Sequence, residues 1–353
     1  MPSSILSSAL PASSFVLVTG GAGFIGGHLV ERLLKDGNNV VVIDDLSTGS
    51  LANLAAVKKH PGFRFIESKI SECAELPKLA AQAEFIFHLA ATVGVDLVVK
   101  SALHVLESSF SETQILLRAA VKHSTPVLFT STSEVYGKSA KPQFSEEDDL
   151  LIGPPGHSRW SYASAKLTDE FLALAYFREK SLPVIIARLF NTVGPRQTGR
   201  YGMVLPRFIA AAKKNEPLKV FGDGRQSRCF GFVHDVVEAL VRLQTTALER
   251  RSLNRRGRGD SSQRADLEIG APAVFGEIFN IGGTEEVSIL DLAKLVVKTL
   301  GSKSKIELIP YDQAYAPGFD DMRRRKPRVE KLEHFVGFKP QTPLREIIRR
   351  TAE

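Results

Sequence analysis

The sequence predicts an α/β protein in which a doubly wound parallel sheet is followed by a smaller C-terminal α/β lobe. Two observations in the first half predict the sheet: short apolar runs alternate with segments of helical spacing, and a glycine-rich turn directly follows the first run. A looser rhythm after about residue 190, with more prolines, glycines and isolated helices, predicts the second lobe. We therefore expect one large fold with two parts.

The predicted strands are short, mainly apolar runs of the kind found in buried parallel strands. Segments of helical spacing lie between most of them, and repeated βα units imply a sheet covered by helices on both faces. Strands are expected at residues 15–19, 40–43, 63–66, 85–89, 127–131 and 184–190, with long helices at 105–122 and 158–180.

The chain is expected to divide at about residue 190. Residues 1–14 are Ser-rich and are predicted to be a disordered tail, residues 15–190 to form the sheet domain, and residues 191–353 to form mainly the smaller lobe. Within that lobe, residues 249–268 contain six arginines and almost no apolar side chains. Such a segment buries too little surface to order itself, so we expect a flexible insertion.

The composition is that of an ordinary globular protein: 43% of the 353 residues are hydrophobic and 24% are charged. No run approaches the roughly 20 apolar residues of a membrane span, and the N-terminus lacks the basic start of a secretory signal. The two cysteines fit no metal or redox spacing. Because no aromatic residues accompany the basic stretches that give the net charge of +7, nucleic acid is not an expected partner. We expect a cytoplasmic protein without a metal site.

The turn after the first strand, TGGAGFIG, has the glycine spacing of a dinucleotide site. Gly20, Gly23 and Gly26, with Phe24 and Ile25 between them, open a helix directly after the strand. Glycine permits the tight turn and the close approach of the backbone to a pyrophosphate, which then lies at the helix N-terminus.

An acid at the end of the second predicted strand completes this pattern. Asp44 lies about 18 residues beyond the last glycine of the motif. A carboxylate there accepts hydrogen bonds from both ribose hydroxyls and repels a 2′-phosphate, which favours NAD over NADP.

A tyrosine and a lysine are spaced for acid–base chemistry on the second long helix. Tyr162 and Lys166 are four residues apart and therefore share one helix face. An ammonium near a phenol is expected to lower the phenol's pKa, and a phenolate can take a proton from a sugar hydroxyl while hydride moves to the cofactor.

Six segments occur in the order typical of the extended short-chain dehydrogenase/reductase family, which the chain resembles from about residue 15 to its C-terminus, apart from the insertion. They are TGGAGFIG, DDLSTGS, HLAA, TSTSEVYG, YASAK and RLFNTVGPR. The resemblance implies a Rossmann domain, bound NAD, a nucleotide-sugar substrate, and contact of Leu89, Ala90 and Ala91 with the cofactor. It also implies a homodimer formed through a four-helix contact by the two long helices.

The Thr132, Ser133 and Glu134 triplet resembles that of UDP-glucuronate decarboxylases. The resemblance implies that Thr132 bonds the sugar's 4-hydroxyl, while a carboxylate at Glu134 is useful where chemistry occurs at C5 or C6. The segment QSRCF is similar to the one that carries the decarboxylase active-site arginine, which maps to Arg228, and RRRKP resembles a further decarboxylase element. By the same resemblance Asn191 contacts the substrate's phosphates.

These motifs imply NAD-dependent decarboxylation of UDP-glucuronate to UDP-xylose through a 4-keto intermediate. Ser133, Glu134 and Arg228 would act on the carboxylate and the C5 proton. YASAK is closer to epimerases and dehydratases, so a 4-epimerase acting on UDP-glucose or UDP-glucuronate is the first alternative and a 4,6-dehydratase the second. A non-catalytic nucleotide-binding protein is a further alternative, which predicts a damaged Tyr-Lys pair where this sequence has an intact one.

Overall fold

The computed structural model describes residues 14–91, 101–199, 203–256, 273–310 and 322–353. The predicted tail, apart from Ser14, lies outside the described residues. The strands are β1 (Phe15–Thr19), β2 (Asn39–Asp44), β3 (Phe63–Glu67), β4 (Ala83–His88), β5 (Val127–Thr132), β6 (Val184–Leu189), β7 (Thr192–Val193), β8 (Leu218–Phe221), β9 (Ser227–Cys229), β10 (Gly231–Phe232), β11 (Ile278–Ile281), β12 (Glu286–Ser288) and β13 (Ile306–Ile309). The helices are α1 (Phe24–Lys35), α2 (Leu76–Gln82), α3 (Ala102–Val121), α4 (Trp160–Lys180), α5 (Val204–Lys213), α6 (Val233–Arg256), α7 (Ile289–Leu300), α8 (Glu330–Val336) and α9 (Leu344–Ala352).

The central sheet has seven parallel strands in the order β11-β6-β5-β4-β1-β2-β3. The chain builds outward from β1 through β2 to β3, and then crosses to the other side of β1 to place β4. This reversal opens a crevice between the carboxyl ends of β1 and β4, the position where doubly wound sheets bind ligands. The predicted doubly wound fold is confirmed.

Two hydrophobic cores cover the two faces of the sheet. Successive side chains of β1 alternate between them: Val16 and Val18 belong to one core, and Phe15 and Leu17 to the other. All four side chains are at most 2% exposed. A fully buried side chain of this size contributes about 1.5–3 kcal/mol, so these cores hold the strand ends rigidly in place.

The second half of the chain completes the sheet as well as forming a lobe. Strand β11 pairs in parallel with β6, and α6 packs against α1. The lobe proper is built by β8 and β13, with α5, α7 and α9 packed together beside them. The division at residue 190 as a domain boundary remains a prediction.

The first part of the predicted insertion is helical in the structure. Helix α6 extends to Arg256, so residues 249–256 are its final turns, and the flexibility of the insertion remains a prediction. The physical reason is that Ala247 is fully buried and Leu248 packs on the core, so the helix end is anchored before the arginines begin. Arginine, leucine and glutamate are themselves good helix formers. Residues 257–268 lie outside the described residues. Within the described ranges, we find no helix that combines the length and apolar character needed to span a bilayer.

Candidate active site

A cavity of about 770 Å³ lies at the crevice between β1 and β4 and extends towards the C-terminal lobe. It brings together every residue predicted for the site except Arg228. The predicted residues in its wall are Gly20, Gly23, Phe24, Ile25, Gly26, Asp44, Leu89, Ala90, Ala91, Thr132, Ser133, Glu134, Tyr162, Lys166 and Asn191.

The glycine turn forms a cradle that side chains would fill. A Cβ atom on Gly20 would lie 2.6 Å from the backbone nitrogen of Ala90, and one on Gly26 would lie 2.2 Å from the carbonyl oxygen of Gly20. Helix α1 begins after Gly23 without a side-chain cap, so amide groups of its first turn stay available. A pyrophosphate fits such a cradle, because backbone N–H groups and the helix dipole both favour an anion there.

Asp44 ends β2 at the edge of the cradle, as predicted. Its carboxylate accepts one hydrogen bond from the backbone N–H of Ala22 and another from that of Leu46, both at 2.9 Å. Burial raises the pKa of Asp44, while these two backbone hydrogen bonds lower it. Because each carboxylate oxygen has two lone pairs, both keep an acceptor site for a ribose hydroxyl. The residues present therefore fit an adenine dinucleotide.

Tyr162 and Lys166 lie in the first turns of α4 and face the cavity together. The phenol of Tyr162 is near the hydroxyl of Thr132, at the end of β5, and both residues line the cavity. The ammonium nitrogen of Lys166 lies 3.9 Å from the centre of the Phe129 ring, and the side chain is 2% exposed. Burial lowers the pKa of Lys166 to about 8.

The expectation that Lys166 lowers the pKa of Tyr162 is wrong for the polypeptide by itself. Burial raises the pKa of Tyr162, and the negative charges of Glu134 and Asp169 raise it further. Of the causes of this shift, only the neighbouring hydroxyl of Thr132 lowers the pKa of Tyr162. The sequence spacing identified Lys166 as a neighbour of Tyr162 but not the two carboxylates. Glu134 is brought close by tertiary contacts, and Asp169 lies further along the same helix.

Glu134 is enclosed by three arginines, Arg159, Arg228 and Arg325, which we call the arginine cluster. Its carboxylate lies 2.6 Å from Arg325 and 3.0 Å from Arg159. Burial alone would raise the pKa of Glu134, but the charges of Arg325, Arg159 and Arg228 outweigh it and lower the pKa to about 2. The carboxylate is therefore ionised at every physiological pH.

The structure places Arg325, and not Arg228, in the cavity wall. Arg228, predicted as the active-site arginine, lies on β9, donates a hydrogen bond to the carbonyl of Ser227, and is absent from the cavity wall. Arg325 lines the cavity instead and contacts Glu134 directly. The segment that carries Arg325 runs beside β9, where its carbonyl accepts from the amide of Cys229.

Sequence reasoning also missed Arg159. It precedes α4 directly and lies three residues before Tyr162, a spacing that places it at the same helix end. Arg325 stood in the RRRKP element that the sequence had singled out, but local pattern could not tell which of its arginines turns inward. The sequence therefore contained a clue to each arginine, but it gave no means of identifying either one as a residue of the site.

Two further predicted residues differ in how their polar atoms are engaged. The hydroxyl of Ser133 is buried and has no hydrogen-bond partner within the described parts of the chain. The amide of Asn191 donates to the carbonyl of Cys229 at 2.8 Å, and its oxygen accepts from Arg325 at 3.5 Å. Ser133 is therefore available to a ligand, whereas Asn191 already links the arginine cluster to β9.

The chain is similar to a family of known proteins and to individual members of it. Residues 16–254 match the model of the NAD dependent epimerase/dehydratase family. A UDP-N-acetyl-alpha-D-glucosaminuronate decarboxylase of Bacillus cytotoxicus is 37% identical over 96% of this chain and 96% of its own length. UDP-glucuronic acid decarboxylase 4 of Arabidopsis thaliana is 34% identical over 94% of this chain, which spans 66% of that protein.

Among solved structures, a UDP-glucuronic acid 4-epimerase from Bacillus cereus, in complex with UDP-glucuronic acid and NAD, has a similar fold. The TM-score is 0.78 and the sequence identity is 28%, over 96% of this chain and 97% of that one.

Proposed function

Because the chain belongs to the NAD-dependent epimerase/dehydratase family, we propose that it is a nucleotide-sugar decarboxylase that converts UDP-glucuronate to UDP-xylose. The reaction passes through a 4-keto intermediate and returns the cofactor to its starting state. The names of the two decarboxylase relatives support this choice of reaction.

The observation that carries the proposal is the charge around Glu134. Glu134 pairs with Arg325 and Arg159 in the cavity wall, next to Ser133 and Tyr162. Guanidinium groups bind carboxylates through charge-assisted hydrogen bonds. Because both arginines line the cavity, they can contact a carboxylate on the bound sugar. A neutral hexose has no group for that contact, so a uronate fits this wall of the cavity better than glucose does.

One group of cavity residues acts on the 4-hydroxyl of the sugar. Thr132 orients the 4-hydroxyl through its place beside Tyr162, and the phenol oxygen of Tyr162 takes the proton of that hydroxyl. Bound NAD+ supplies the hydride acceptor and a positive ring charge that favours phenolate. Lys166 adds its ammonium to the same side of the site.

Oxidation at C4 produces a β-keto acid, and this is what makes decarboxylation feasible. The bond between C5 and the carboxylate carbon breaks, CO2 leaves, and its electron pair delocalises into the 4-ketone as an enolate. C5 then takes up one proton from solvent water. Tyr162 returns its proton to the oxygen on C4, where the reduced cofactor would supply the hydride. We assign Arg325 to holding the carboxylate, with Ser133 and Glu134 at the C5 side.

The same arginines in the cavity wall also support a second candidate reaction, epimerisation of UDP-glucuronate at C4. A solved 4-epimerase structure with UDP-glucuronic acid has this fold. The two reactions share the oxidation at C4 and differ in whether CO2 leaves before hydride returns.

Product analysis separates these reactions. The purified chain is incubated with UDP-glucuronate, and in a parallel reaction with UDP-N-acetylglucosaminuronate, while CO2 release and product mass are followed. The proposal expects loss of 44 mass units (the mass of CO2, by elementary chemistry) from UDP-glucuronate. An unchanged mass with conversion to UDP-galacturonate would establish the epimerase. Turnover of the N-acetylated sugar alone would change the substrate but keep the reaction.

We further propose that the chain acts as a homodimer in the cytoplasm. Helices α3 and α4 pack together and expose Leu103 (68%), Phe171 (63%), Leu106 (40%) and Phe110 (40%). Large apolar side chains clustered on two adjacent helices are typical of an interface, and a two-fold axis would bury them in a four-helix contact. The location is supported by Cys73 and Cys229, which are both buried and unpaired.

A further inference from the structure

A buried carboxylate lies beside the lysine of the site without forming a hydrogen bond to it. Asp169 follows Lys166 by three residues on α4, and such a spacing places both side chains on one helix face. The Oδ2 atom of Asp169 is 3.9 Å from the Nζ atom of Lys166, and the Asp169 side chain is fully buried. The separation is short enough for strong attraction but longer than a hydrogen bond.

One hydroxyl from α3 holds this carboxylate in place. Ser109 donates to Oδ2 at 2.6 Å, and Oδ1 is buried without a hydrogen-bond partner among the described residues. Nearby, the Thr113 oxygen of α3 lies 3.2 Å from Nε2 of His88, whose Nδ1 is 2.7 Å from the hydroxyl of Thr19. These contacts link the end of β1 to the helix that holds the counter-ion of Lys166.

His88 is neutral, because burial together with the charge of Lys166 lowers its pKa to about 3. The histidine adds no positive charge that would compete for Asp169.

The other carboxylate near Lys166 is already neutralised. Glu170 forms a close pair with Arg188, at 2.7 Å, and also accepts from Ser131. The titratable groups that face Lys166 are thus Asp169 and Glu170 on its own helix and His88 on β4, and Asp169 alone of these three is an anion not already neutralised by a guanidinium. The remaining neighbour of the ammonium is the apolar ring of Phe129.

We propose that Asp169 is a positioning residue that keeps Lys166 a cation while leaving its N–H groups free to bind the cofactor. This inference rests on the proposed function, in which Lys166 acts beside NAD. Burial and the apolar ring favour a neutral amine, and the Asp169 charge opposes them. A direct hydrogen bond would have occupied an ammonium proton, whereas a carboxylate held by Ser109 attracts the charge from a fixed distance.

The test compares Asp169→Asn with the parent in two measurements across pH 6 to 9. The first is NAD affinity by titration calorimetry, and the second is the rate of CO2 release from UDP-glucuronate. Loss of the anion lowers the pKa of Lys166, so the fall of affinity and rate on the alkaline side moves to lower pH. We expect a displacement of about one pH unit and therefore about fivefold weaker NAD binding at pH 8, with near-parent binding at pH 6.

Three further variants make the outcome decisive. Asp169→Glu retains the negative charge, so NAD affinity and rate should fall at nearly the same alkaline pH as in the parent. Asp169→Ser has a smaller neutral side chain and should behave as Asp169→Asn does. It replaces Asp169→Asn in the test if that variant does not fold. Asp148→Asn removes a carboxylate from an ion pair with Lys141 outside the cavity and should leave both pH curves unmoved.

Unshifted pH curves in the neutral variants, or an equal loss at every pH, would overturn the inference. If the parent binds NAD but releases no CO2, the proposed reaction is wrong, and the affinity curves still decide the role of Asp169.

Discussion

Replacing Glu134 with glutamine removes the one negative charge at the centre of the arginine cluster. The side chain keeps its size and one carbonyl oxygen, but it can no longer neutralise Arg159 and Arg325, which now lie 3.0 and 2.6 Å from the carboxylate. The cost can be derived from the pKa of Glu134, which falls from an ordinary 4.5 to about 2 despite burial. That difference corresponds to about 3 kcal/mol of folding free energy.

The sign of the pH dependence follows from the lowered pKa. A carboxyl group whose pKa is lower in the folded state stabilises the protein above its unfolded pKa, and that stabilisation is lost as the pH falls towards the folded value. The parent should therefore exceed Glu134→Gln in free energy of unfolding by about 3 kcal/mol at pH 7. The gap should begin to close below pH 4.5 and should almost vanish near pH 2.

Urea-induced unfolding, followed by circular dichroism at a series of pH values, measures this gap. Taking the difference between two variants cancels the titration of all other groups. Glu147→Gln is a matched control, because Glu147 is 86% exposed in a loose ion pair and should change stability little at any pH. A gap for Glu134→Gln that stays constant from pH 7 to pH 3 would show that the arginine cluster does not control the pKa of Glu134.

Three further predictions concern the cofactor, the chemistry and the assembly. Tyr162→Phe should lower kcat by about 10²–10⁴-fold while NAD still raises the melting temperature as in the parent; a variant with full turnover would exclude Tyr162 as the base. Gly26→Ala should abolish that NAD-dependent rise, because its Cβ would lie 2.2 Å from the carbonyl oxygen of Gly20. Phe171→Glu and Leu103→Glu should each convert a dimer to monomers in analytical ultracentrifugation, and a persistent dimer would place the interface elsewhere.

The local elements of this fold could be predicted from the sequence because each depends on neighbours along the chain. Apolar runs located the strands of the central sheet that precede residue 190, and helical spacing located the two long helices. The glycine turn and the Tyr162–Lys166 pair were likewise found by spacing, since a helix fixes which residues share a face. Strand β11 was not found, because a four-residue run in an irregular region carries too little pattern.

The electrostatics of the site depended on contacts that no local pattern encodes. Arginines at 228 and 325 look alike in the sequence, and only the path of the segment beside β9 decides which one reaches the cavity. The pKa of Tyr162 rises because tertiary packing removes water and brings Glu134 near, although spacing alone suggested a fall.

The sequence by itself thus determined the sheet, the dinucleotide cradle and the Tyr-Lys pair, because periodicity and short spacings act through the backbone of one segment. The tertiary structure alone decided which charges meet. Burial and the approach of distant segments set the strength and even the sign of each electrostatic interaction, as Glu134 in its arginine cluster and Asp169 beside Lys166 show.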